Sequence, residues 1–243
     1  MKIRDAVCGI GTSLKLPVCL FLAIAPPAAS RAVELYNLDF TPPDLGAYQV
    51  MAGSPSVQST AGIFTDALVF DAVNGGEQIR LSIGVTAPQY ELQCDVLAHN
   101  LTDSDYAFGV YFGTAAVRTM NFDRGLNSIY VYQSSPFLNL SLSSLMNDSV
   151  YHLDVTFDSP NSVWSVAING TSLFNGPLDG ASLQDIRFGL APWISGAANA
   201  PNTYAALDNV IVSAVPEPTT AGLAAAGILL WLKLQRRNPR TRN

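Results

Sequence analysis

Charge is scarce in this chain. Of its 243 residues, 13% are charged, about half the usual share, while 49% are hydrophobic. A disordered acidic chain, a coiled coil and a basic nucleic-acid binder all need far more charge and are excluded. Histidine is nearly absent. His99 and His152 are the only two, too few for a metal centre built from histidine and cysteine. Cys8 and Cys19 fall in the N-terminal segment, so Cys94 alone remains for the body, and an internal disulfide cannot form there. No G-x-S-x-G elbow, phosphate loop or dinucleotide fingerprint occurs. Nor does the body show helical periodicity.

The charge that is present is segregated. Residues 31–218 hold 18 acids and five bases, a net of -13, whereas residues 219–243 hold five bases and no acid. The N-terminal end is also basic (Lys2, Arg4, Lys15) and leads into the apolar stretch Leu16–Ala25 and the small-residue zone PPAAS. That is the layout of a secretory signal cleaved after Ser30 or Ala32; ten apolar residues are too few to span a bilayer. The expected partners are the Sec translocon and a signal peptidase. The expected division is a signal peptide over 1–32, a body over 33–214 and a C-terminal segment over 215–243.

That last segment reads Pro216-Glu217-Pro218, then an apolar run from Ala221 to Leu232, then Lys233, Arg236, Arg237, Arg240 and Arg242. The prolines favour an extended, accessible peptide. A helix from Ala221 to Leu234 would rise roughly 21 Å at about 1.5 Å per residue, short against a bilayer core of about 30 Å. The basic tail favours the cytoplasm. The three parts in this order resemble the PEP-CTERM sorting signal of bacteria that make exopolysaccharide. The resemblance implies a sorting motif of Pro216, Glu217, Pro218, Lys233, Arg236 and Arg237. It also implies an exosortase as processing partner, membrane anchoring at least for a time, and a final place at the cell surface or in the extracellular matrix.

In the body the hydrophobic period is two. Val150–Asp158 sets Tyr151, Leu153, Val155 and Phe157 against His152, Asp154, Thr156 and Asp158; Tyr90–Ala98 and Glu77–Ile83 alternate likewise. Further strands are predicted at Val33–Phe40, Ile63–Phe70, Tyr106–Phe112, Val117–Phe122, Ser128–Gln133, Val163–Asn169, Ser172–Phe174, Leu183–Leu190 and Tyr204–Ser213. Asn169-Gly170 predicts a type I′ hairpin. Ala191–Asn202 reads as a surface loop, and the sequons at Asn100, Asn139, Asn147 and Asn169 as polar turns. About a dozen short strands with these turn signals predict an all-β sandwich or jelly roll.

One series is familiar: VYHLDVTFD, VWSVAINGTSLF, LQDIRFGL, a loop, then YAALDNVIVS, within Val150–Ser213. It is similar to the closing strands of concanavalin A-like (laminin G, pentraxin, glucanase) sandwiches in bacterial surface proteins. The resemblance implies a jelly roll of antiparallel strands, with carbohydrate among its ligands.

Glucanases of that class carry acids on alternate residues of one strand. The nearest equivalent here is Glu91, Gln93, Asp95, with an amide in the middle and the two acids about 13 Å apart. Glycosidase carboxylates stand about 5–9.5 Å apart, so a solvated strand face is the better reading. Trp193 and Tyr204 are the candidate sugar-stacking rings; Trp164, on an apolar face, reads as core, as does Cys94. Asp103 and Asp105 form the one candidate calcium loop, although their spacing also suits an ordinary turn. Asp208-Asn209 is expected to bond structurally within the last strand. The expectation is therefore an exported protein with a non-catalytic sandwich that meets exopolysaccharide or envelope partners. The alternative is a glycoside hydrolase of the concanavalin A-like class.

Overall fold

The structure, a computed structural model, describes residues 32–41, 46–60, 63–73, 76–113, 118–123, 128–134, 137–178, 183–192, 198 and 200–216. The two expected terminal helices lie outside these residues. Fifteen strands follow in order: β1 Val33–Leu38, β2 Gln49–Ala52, β3 Ser56–Thr60, β4 Phe64–Ala72, β5 Glu77–Ser82, β6 Gln89–His99, β7 Tyr106–Phe112, β8 Arg118–Asp123, β9 Ser128–Ser134, β10 Phe137–Ser144, β11 Ser149–Asp158, β12 Val163–Ile168, β13 Thr171–Pro177, β14 Asp185–Pro192 and β15 Ala200–Val215. They form two antiparallel sheets. One runs β13-β12-β11-β6-β15-β4-β3, with β1 also paired to β15; the other runs β10-β9-β8-β7-β14-β5-β2. This is the predicted jelly-roll sandwich.

The alternation in the sequence becomes its two layers. Tyr151, Leu153, Val155 and Phe157 of β11 turn inward with Tyr90, Leu92, Cys94 and Val96 of β6. Across from them stand Phe108, Val110 and Phe112 of β7 and Ile186, Phe188 and Leu190 of β14. Trp164 is fully buried, stacked parallel to Phe157 at 5.9 Å and donating from Nε1 to Gln133 Oε1 at 2.7 Å. Asn169 and Gly170 both take positive φ, 52° and 73°, as the type I′ turn requires, and Ile168 pairs with Thr171 across it. Cys94 is a buried free thiol, its pKa pushed well up by burial and then by Asp95 and Asp154.

Three strands were not read from the sequence: β2, β3 and β10. All lie at sheet ends. In β10 the alternation of Leu138, Leu140 and Leu142 was available, diluted by Asn and Ser, which are weak strand formers. Asn139 therefore sits in a strand, not a turn. The loop expected over Ala191–Asn202 is shorter, because β14 runs through Pro192 and β15 begins at Ala200. None of the four end strands, β2, β3, β10 and β13, carries a charged residue.

Candidate functional site

The two outer faces of the sandwich differ in character. On the eight-stranded sheet, β6, β11 and β15 present Asp95, His152, Asp208 and Asn209. His152 Nδ1 donates to Asp95 Oδ1 at 2.7 Å, and Asn209 Nδ2 donates to Asp95 Oδ2 at 2.8 Å. Asp208 Oδ1 accepts from the Asn209 backbone N–H at 2.8 Å, where β15 bulges against β6. The structural role expected for Asp208-Asn209 is thus present, and both oxygens of Asp95 are engaged in it. Glu91 and Asp95 lie on this face as expected, four residues apart.

Burial, and then the nearby Asp95, Asp39 and Asp66, raise the pKa of Asp208 against one lowering contact from the Asn209 N–H. The folded state thus holds this proton more tightly than the unfolded chain, and stability falls as pH rises through the raised pKa. Asp208→Asn preserves the acceptor for Asn209. It is expected to raise the melting temperature at neutral pH and to leave it unchanged at about pH 3, below the ordinary Asp pKa of about 3.9. Thermal melts of both proteins across pH check this; parallel curves would refute it.

The candidate sugar-stacking rings are not brought together. Tyr204 lies on the outer side of the eight-stranded sheet, stacked on His99 at 4.4 Å, with His99 hydrogen-bonded to Asp148. Its neighbours there are Phe64, Ala67, Val69, Leu97 and Ala206. Trp193 lies outside the described residues, as do Glu217, Pro218, Lys233, Arg236 and Arg237; Pro216 follows β15. Backbone at Leu101–Asp103 forms a 3-10 turn ahead of Asp105, and the Asp103 side chain is outside the described residues. No group of three or more His, Cys, Asp or Glu side chains able to hold a metal occurs among the described residues.

The seven-stranded sheet carries a different set. Strand registers place Gln49, Arg80, Arg187, Tyr111, Thr119, Tyr132 and Asn139 in one row across seven strands. Six spacings of about 4.8 Å make that row about 29 Å long. A second row runs Gln78, Gly189, Gly109, Asn121, Tyr130. Gly109 leaves room for Tyr111, whose ring would lie 2.5 Å from any Cβ there.

Although these side chains point away from the core, several are sealed. Asp123 is 0% exposed, Tyr130 5%, Asp185 4% and Ser128 3%. Such values mean that these groups are covered. Tyr130 Oη contacts Asp123 Oδ2 at 3.4 Å. Burial first, then Asp123 and Tyr111, push the Tyr130 phenol far above its ordinary range, and burial alone raises Tyr111. Both phenols therefore stay protonated as donors. At the far end Tyr132 meets Phe137 edge-on at 5.9 Å, and Phe137 is 74% exposed.

Three buried polar atoms on this face make no hydrogen bond: Arg80 Nε, Ser128 Oγ and Asp185 Oδ1. Buried polar groups are almost always paired. All three atoms are closed to solvent, so the groups that a ligand can reach on this face include Phe137 and Asn139, both exposed. The set escaped the sequence reading because it is drawn from different strands. A signal was present, however: β9, SIYVYQS, is apolar or aromatic at successive positions, the mark of a strand covered on both sides.

No family model matches the chain, and no curated protein matches it. Solved structures do. A CBM2 module from an evolved Dit of Lactobacillus casei BL23 phage J-1 superposes with a TM-score of 0.55 at 11% identity, over 76% of this chain and 96% of that one. An alginate lyase of polysaccharide lyase family 7 gives 0.54 at 12% identity, over 70% and 94%. A sialidase gives 0.55 at 11% over 76% of this chain, which spans only 19% of that protein. At such identities the likeness shows the fold.

Proposed function

We propose that this chain is an exported bacterial surface or matrix protein whose sandwich binds polysaccharide, without cleaving it, on the outer face of the seven-stranded sheet. One observation carries the binding: at one end of that face Tyr132 meets Phe137 edge-on at 5.9 Å, and Phe137 is 74% exposed. Exposed rings stack on the apolar faces of sugars, and the exposed Asn139, opposite Tyr132, can meet their hydroxyls. The solved structures of the same fold include a carbohydrate-binding type of module and an alginate lyase, which fits a carbohydrate ligand.

Carboxylate spacing supports binding without turnover. On this face the described acids are Asp123 and Asp185. Asp123 is level with Ala107 and Ala191, six residues along β14 from Asp185. The two are about 22 Å apart at about 3.3 Å per residue and about 4.8 Å per strand, against about 5–9.5 Å for a glycosidase pair. Export and exosortase processing rest on the two terminal sequence patterns. No helix among the described residues is long and apolar enough to cross a membrane, and Ala221–Leu232 lies outside them.

A glycan array probed with the full chain tests the binding. Tyr132→Ala and Phe137→Ala are each expected to weaken the bound glycan by about 2 kcal/mol, roughly thirtyfold, the scale of an aromatic anchor. Thr156→Ala, on the opposite sheet, is expected to leave affinity unchanged. Equal affinity in all four proteins would remove this face as the site. Release of new sugar ends from the bound glycan would replace binding with catalysis.

A further inference from the structure

The two rings at the end of this face stand among uncharged groups. Strand β9 reads SIYVYQS and β10 reads FLNLSLSS, with no acid or base in either. On the outer side Ser134 lies directly opposite Phe137, Asn139 opposite Tyr132 and Ser141 opposite Tyr130. Ser134, Asn139 and Ser141 are exposed, as Phe137 is, and Tyr132 is half-buried. Hydroxyl and carboxamide groups donate and accept without carrying charge, as the hydroxyls of a sugar do.

Bases are distant from this platform. The described residues hold three arginines and no lysine. Arg187 is level with Tyr132 but three strands away along the row, about 14 Å at about 4.8 Å per strand. Arg80 is one strand farther. Arg118 stands opposite Gln133 but is sealed in the core, 1% exposed. Salt screens exposed charges beyond about 8 Å at physiological strength, so Arg80 and Arg187 are too far to pair with a group held at the platform. The acids act the other way. Residues 31–218 have a net charge of -13, and an anionic polymer meets that field as a like charge. A carboxylate stacked here would surrender water, gain no described base and be repelled by the body.

We propose that Tyr132, Phe137 and the neutral groups around them select an uncharged polysaccharide and pass over uronate chains. The inference rests on the reading of this face as a polysaccharide site and adds the class of sugar that it takes. The rings cover the apolar C–H face of a sugar unit, and Ser134, Asn139 and Ser141 meet its hydroxyls. No ion pair forms, so the affinity is insensitive to salt.

The test titrates the full chain with tetramers of glucose, mannose and N-acetylglucosamine, and with tetramers of glucuronate, galacturonate and mannuronate, in about 0.1 M and about 1 M salt. At least one neutral tetramer is expected to bind about tenfold tighter than any of the acids at the lower salt, the scale of desolvating a charged group without a partner. Its affinity is expected to be equal at both salts. Ser134→Arg sets a base opposite Phe137 and is expected to narrow the gap by strengthening the acids. A uronate that binds as tightly as the best neutral tetramer would overturn the selection, as would neutral binding that falls with salt. Tyr132→Ala separates the two levels. If it weakens a preferred uronate, the polysaccharide face stands and the neutral class falls. If it changes nothing for whatever binds, both fall. If all six tetramers are silent, the charge of the glycan held on the array decides the class in the same way, and a silent array removes both.

Discussion

Replacing Trp164 with alanine is expected to cost about 3–5 kcal/mol, the range for large aromatic truncations in a core. At this chain size that lowers the melting temperature by roughly 6–20 °C. The indole is fully buried between the sheets. It stacks on Phe157, whose other neighbours include Phe112 at 4.9 Å and the Arg118 guanidinium, and it meets Phe174 edge-on at 4.8 Å. Removing it opens a cavity next to a buried charge. Trp164→Phe keeps a ring but loses the N–H that Gln133 accepts, and is expected to cost about 1–3 kcal/mol. Urea unfolding of the three proteins reads both effects. A loss below about 1 kcal/mol for the alanine variant would mean that the site collapses around the gap.

Deleting Ala221–Asn243 is expected to shift the protein from membrane-held to freely released in a host that carries an exosortase. On the sorting reading, a helix over this apolar run would bury its leucines and isoleucine in lipid, while the five bases would hold the far end inside. Deletion alone would also release an ordinary single-pass anchor. Glu217→Gln distinguishes the two, because it leaves the apolar run and the basic tail intact. An exosortase substrate is expected to accumulate as unprocessed, membrane-bound precursor; an ordinary anchor would be indifferent. Cell fractionation with a size shift on a gel reads the outcome. Wild-type processing in Glu217→Gln would remove the sorting reading.

Much of the fold could be read from local pattern. Period two in Val150–Asp158 and Tyr90–Ala98 is a consequence of one buried face. Asn169-Gly170 states its own turn, because few residue pairs accept positive φ twice. Trp164 and Cys94 were placed by parity alone. The outer face of the seven-stranded sheet was not legible for a topological reason. Arg80, Tyr111, Tyr132 and Arg187 come from β5, β7, β9 and β14, and nothing local tells that β14 lies between β5 and β7. Parity shows that Tyr130 and Tyr132 share a face; it cannot show which strands stand beside them. The sequence reading therefore favoured a loop tryptophan, Trp193, and a tyrosine near it. Tyr204, however, occupies the other side of the molecule, against His99.

The uncharged end strands bear on how this protein behaves in a crowd. Many β proteins guard an open edge with a lysine, a proline or an inward charge. Here β10 offers eight residues with no charge among them, and the acids sit on interior strands such as β6 and β11. Besides the irregularity between Ser141 and Ser143 in β10 and Pro177 in β13, the mutual repulsion of acidic bodies opposes zipping of two copies edge to edge. Repulsion of that kind reaches about 10 Å in 0.1 M salt and about 3 Å in 1 M. Colloidal behaviour is thus delegated to the ions of the medium: dispersed in dilute surroundings, and free to self-associate where salt or a dense polycation screens the acids.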